Sequence, residues 1–89
     1  MISQEDRNAI IALAKRFGVS RVLLFGSSLE PGRPANDIDL GVEGIRPADF
    51  FRFYGELLFA VSKPVDLIDL SIPTEFTRLV RREGVPIHG

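Results

Sequence analysis

The sequence predicts a small α/β domain, with a mixed β-sheet of three to four strands flanked by helices. Three observations lead there. Apolar residues recur at helical spacing in three stretches. Runs of strand length, continuously apolar or alternating, separate those stretches. Glycine or proline marks most of the junctions. At 89 residues the natural count is one domain, spanning 1–89.

Residues 3–17 read as the first helix. Ser3 is a good N-cap, and Gln4, Glu5 and Asp6 suit the first turn. Ile10, Leu13, Ala14 and Phe17 share one helical face, and Gly18 is a natural stop. Residues 20–25 follow as a strand whose run Val22-Leu23-Leu24-Phe25 suits burial on both faces. Residues 29–36 hold two prolines, a glycine and an asparagine, and read as a loop. From Asp37 to Val42 acids and apolar residues alternate, which is a strand pattern. Pro47 opens a helix through about Ser62, with Phe50, Phe53, Tyr54, Leu57, Leu58 and Val61 as a wide apolar stripe. Residues 65–70 form a third strand and 73–83 a third helix, stopped by Gly84; residues 85–87 add a short edge strand.

Composition narrows the class. Apolar residues make up 45% and charged residues 26%, the balance of a folded domain rather than a disordered chain. The absence of cysteine excludes disulfides and thiolate metal sites and fits a reducing cytoplasm. No apolar run approaches the ~20 residues that cross a bilayer, and Met-Ile-Ser-Gln-Glu-Asp lacks the basic and apolar regions of a signal peptide. A net charge of -1 offers no broad basic field, so neither membrane nor direct nucleic-acid binding is expected.

Asp37 and Asp39 stand one residue apart on a predicted strand, so both carboxylates point to one face while Ile38 and Leu40 point to the other. Two carboxylates this close repel each other unless a cation lies between them, and hard divalent cations with oxygen ligands suit the role. Alone, the pair reads as a solvated strand end. Gly26-Ser27, at the end of the preceding apolar strand, changes that balance. Glycine admits a phosphate close to the backbone, and backbone N–H groups with the Ser27 hydroxyl can hold its oxygens.

Leu24-Phe25-Gly26-Ser27, nine residues, then Asp37-Ile38-Asp39-Leu40 resembles the signature of the DNA polymerase beta-like nucleotidyltransferase superfamily, and the small size resembles its minimal nucleotidyltransferase group. The resemblance implies a polymerase beta palm-like fold and transfer of a nucleoside monophosphate from a triphosphate, with ATP the expected donor. It implies one or two Mg²⁺ ions held by Asp37, Asp39 and a third acid from the later strand. By position Asp66 matches, with Asp69 the rival; three positions apart, the two face opposite sides of a regular strand. Gly26, Ser27 and Ser28 are the implied phosphate loop. Many minimal relatives carry an arginine just after Gly-Ser. Here Glu30 brings negative charge to that stretch, and Arg33 is the nearby substitute.

The resemblance also implies a partner. The minimal group pairs with helical HEPN-type ribonuclease toxins, which it neutralises as an antitoxin, by binding and in some cases by adenylylation. A homo-oligomer or hetero-oligomer follows from a chain too small to enclose both nucleotide and acceptor. Phe51 and Phe59 fall off the main stripe of the second helix. The preferred reading is that a helix on a small sheet buries a broad face; a docking surface is the other. Arg78, Arg81 and Arg82 read first as a solvated helix end suited to the dipole, and second as a site for an acidic partner or RNA.

Overall fold

Each element is set by its own ends. In the computed structural model, which describes residues 2–26 and 36–89, α1 spans Gln4–Arg16. The Ser3 hydroxyl accepts from the Asp6 N–H at 3.1 Å, and Lys15 and Arg16 sit in the last turn. Gly18 stops the helix at φ +68°, where its N–H and that of Val19 donate back to the Lys15 and Ala14 carbonyls. The chain continues as β1 (Arg21–Phe25), β2 (Ile38–Glu43), α2 (Pro47–Ala60), β3 (Val65–Asp69), α3 (Glu75–Glu83) and β4 (Val85–His88). Every boundary lies within two residues of its sequence expectation.

The sheet runs β3-β2-β1-β4. β2 lies antiparallel to β1 and parallel to β3, the crossover being α2, while β4 lies antiparallel to the other edge of β1. The sheet is therefore mixed and four-stranded. Its first face is packed by α1 and α2. Val22, Leu24, Ile38, Leu40 and Val42 meet Ile10, Leu13, Phe53 and Leu57 there, all buried. The second face carries a smaller cluster of Leu23, Leu70 and Val80 under α3. β1 is thus covered on both faces, as its unbroken apolar run requires.

Two polar ties hold the layers. The buried Asp6 carboxylate accepts from the Ser62 N–H at 3.1 Å and its hydroxyl at 2.6 Å, joining α1 to the end of α2. Arg81 pairs with Glu43 and donates to the Leu70 carbonyl at 2.8 Å. Arg81 therefore belongs to the fold rather than to a free basic helix end; Arg78 and Arg82 stay exposed.

The second helix departs from expectation. Only Asp49, Phe53 and Leu57 are buried on α2, with Phe50, Tyr54 and Val61 half-buried. Leu58 leaves the predicted stripe at 49% exposure, and Phe51 and Phe59 stand out at 79% and 96%. The helix meets the sheet along one narrow line, so the broad buried face expected for it does not form. No helix among the described residues is long and apolar enough to cross a membrane.

Candidate active site

The site is a product of strand register. β1 and β2 pair so that Phe25 stands opposite Asp39, and β2 and β3 pair so that Asp39 stands opposite Asp66. Cross-strand partners share a face, and adjacent strands lie about 4.8 Å apart. Asp39 and Asp66 therefore stand side by side on the face that α3 covers. Leu70 fills the space above Gly41, two residues further along β2, within 3.0 Å of where a Cβ would stand. The apolar lid ends there, and the acids lie beyond it: Asp39 is half-buried and Asp66 exposed.

Gly26 closes the group. It follows β1 at φ +68°, a left-handed conformation that L side chains rarely adopt. A Cβ at this position would lie 2.5 Å from Asp39 Oδ2. Glycine is therefore required twice, by the backbone and by the carboxylate beside it. Asp37 precedes β2, exposed and two residues from Asp39. Ser27, Ser28, Glu30 and Arg33 lie outside the described residues.

Asp69 is placed elsewhere. It pairs with Val42, and its Oδ1 accepts from the Ser71 N–H at 2.9 Å, which closes the turn after β3. Among the described residues no three acid or histidine side chains gather as a ready metal-binding group. The donors present are nonetheless hard carboxylate oxygens on adjacent strands, one of them packed directly against the backbone of Gly26. Mg²⁺ takes only one or two protein carboxylates when substrate phosphates supply the rest, so this donor set fits it.

The fold recurs in solved structures. A chain of a toxin–antitoxin complex with AMP-PNP superposes with a TM-score of 0.75 and 26% identity, over 93% of this chain and 73% of that one. A minimal nucleotidyltransferase superposes with a TM-score of 0.71 and 29% identity, over 90% of this chain and 87% of that one.

This chain has the minimal nucleotidyltransferase fold.

A third structure sharing that fold is a complex of a tri-AMPylated HEPN toxin from Shewanella oneidensis with its MNT antitoxin. It superposes with a TM-score of 0.73 and 25% identity, over 97% of this chain and 71% of that one. No protein-family model matches the sequence, and no curated protein does either.

Within the minimal nucleotidyltransferase fold, sequence reasoning missed the aromatic wall of the site. Phe25 and Phe76 pack edge to face with centroids 5.7 Å apart, which seats α3 against β1, the strand that Gly26 follows. The β1–β2 register puts Phe25 on the acid face, and the packing of α3 supplies its partner. The α3 start is fixed by Thr74 and Thr77, whose hydroxyls each accept from the other's N–H, at 3.1 and 2.9 Å. A cavity of about 440 Å³ lies on the outer face of α3, lined by Glu75, Phe76, Arg78, Leu79 and Arg82. Asp37, Asp39 and Asp66 do not line it, so it is not assigned to the nucleotide.

Proposed function

We propose that this protein is a Mg²⁺-dependent nucleotidyltransferase that moves AMP from ATP to a hydroxyl of a partner protein. We infer further that the partner is a HEPN-type ribonuclease toxin and that the chain acts as its antitoxin. One observation carries the reading: register places Asp39 beside Asp66 and next to a left-handed Gly26. The structural neighbours support it, since one holds a triphosphate analogue and another an AMPylated toxin.

Asp39 and Asp66, with Asp37 at the head of β2, would hold one or two Mg²⁺ ions. The metal supplies charge neutralisation of the triphosphate and of the attacking and leaving oxygens. Gly26 leaves backbone room for the phosphate chain, with Ser27, Ser28 and Arg33 as its further contacts. The acceptor oxygen attacks the α-phosphorus, the bond to the β-phosphate oxygen breaks, and pyrophosphate leaves. Asp66, the more exposed acid of the pair, takes the acceptor's proton.

The test is transfer of label from α-labelled ATP to the co-expressed partner. Wild type labels it; Asp39→Ala and Asp66→Ala do not, although both fold. Label transfer that survives Asp39→Ala would sink the proposal. A second reading is neutralisation by contact alone, favoured by the lack of a ready three-acid group among the described residues. It predicts that Asp39→Ala still silences the toxin and that no label moves even in wild type.

A further inference from the structure

We propose that the outward face of α2 is a two-fold interface through which two copies of this chain associate. The face is centred on Gly55. At 100° per residue Gly55 points away from the buried line of Asp49, Phe53 and Leu57. Phe51 lies four residues before it and Phe59 four residues after, and these are the most exposed large apolar side chains among the described residues, at 79% and 96%. Leu58 joins them at 49%.

Nothing within the described residues requires glycine at position 55. Its backbone is ordinary helix, and a Cβ added there would meet nothing within 4 Å. Alanine would hold the helix better. A glycine at the centre of an exposed helical face is explained by another backbone passing close to it.

The spacing identifies that neighbour. When two antiparallel helices cross at Gly55, Phe51 of one copy meets Phe59 of the other, and the reverse contact follows by symmetry. Such self-complementarity is what a two-fold interface demands. The area agrees. Taking ~200 Å² for a phenylalanine, the three side chains expose about 400 Å² of apolar surface. A stable interface covers about 800 Å² per partner, a little over half of it apolar. The stripe therefore supplies most of the apolar core, with the polar flanks of α2 as rim.

Light scattering and sedimentation across micromolar to millimolar concentration test the proposal. The expected species is a dimer of the 9.9 kDa chain. Phe51→Lys and Phe59→Glu, each an anchor lost, should each raise the dissociation constant about thirtyfold. The double variant Phe51→Lys/Phe59→Glu sets opposite charges against each other across the two-fold and should regain much of the dimer. Gly55→Leu should weaken association while the monomer keeps its circular dichroism and melts no lower than wild type. A monomer at every concentration overturns the proposal. So does a double variant that associates no better than either single one.

Discussion

Gly26→Ala separates a site requirement from a backbone requirement, because the chain carries its own control. Gly26 and Gly18 share a φ of +68°. At Gly18 an added Cβ meets nothing within 4 Å, whereas at Gly26 it falls 2.5 Å from Asp39 Oδ2 and 3.3 Å from Asp39 Cγ. Each substitution therefore incurs the left-handed strain, about 1–2 kcal/mol. Unfolding entropy scales with length, so in an 89-residue chain each kcal/mol lowers the melting temperature by about 5 °C. Gly18→Ala should lose about 5–10 °C and leave nucleotide binding unchanged. Gly26→Ala should lose about 1 kcal/mol more, the cost of turning the Asp39 carboxylate out of its rotamer. It should also weaken Mg·ATP binding.

A double-mutant cycle with Asp39→Ala makes the argument refutable. With that carboxylate gone, the two closest contacts disappear and the Asp39 Cβ stands at an ordinary 3.6 Å. In that background Gly26→Ala should cost no more than Gly18→Ala. Thermal and urea unfolding of the four chains, with Gly18→Ala alongside, read the cycle directly. If the excess cost persists without the carboxylate, or never appears, Gly26 does not abut Asp39 in solution and the site geometry is wrong.

Other consequences are as direct. Asp6→Ala removes the acceptor of two Ser62 hydrogen bonds, and bonds to a charged acceptor contribute about 1.5–3 kcal/mol. The exposure of Ser62 points to the low end for each bond, about 3 kcal/mol together, a fall of about 15 °C by thermal denaturation. Leu70→Ala empties the space above Gly41 and should cost about 2–5 kcal/mol by urea unfolding, since Leu70 is 1% exposed. Mg·ATP at a hundredfold excess over its dissociation constant should stabilise the wild type by about 2.7 kcal/mol. Chelation of the metal, or Asp39→Asn, should abolish that shift in a thermal-shift assay.

Much of the fold was legible in sequence because its signals are local. Ser3, Gly18, Pro47 and Gly84 mark helix ends by their own chemistry, and the apolar run of β1 announces two covered faces. The misread element was α2, where local pattern fails. Leu58 is as apolar as Leu57, so hydropathy alone drew it into the stripe; Phe51 and Phe59, off that stripe, belong by expectation to a broad buried face that does not form. How wide a face a helix buries depends on how many strands lie beneath it and at what angle, and neither is written in the helix. Arg81 is similar: its place beside Glu43 depends on a contact across 38 residues.

The candidate site sits between these cases. Alternation puts Asp37 and Asp39 on one face from sequence alone, but the place of Asp66 depends on how β3 registers against β2. That register is not an independent accident. Val65 and Leu67 are buried on the α1–α2 face, opposite Ile38 and Leu40. A slip of one residue that turned both outward would seat Asp66 and Ile68 in their place, burying a carboxylate where Val65 now packs. The hydrophobic core therefore enforces the neighbourhood of Asp39 and Asp66. The same reasoning separates Asp66 from Asp69: three positions on, Asp69 falls on the opposite side and is taken up by the Ser71 turn. A strand that must bury Val65 and Leu67 can offer Asp39 only one of its two acids.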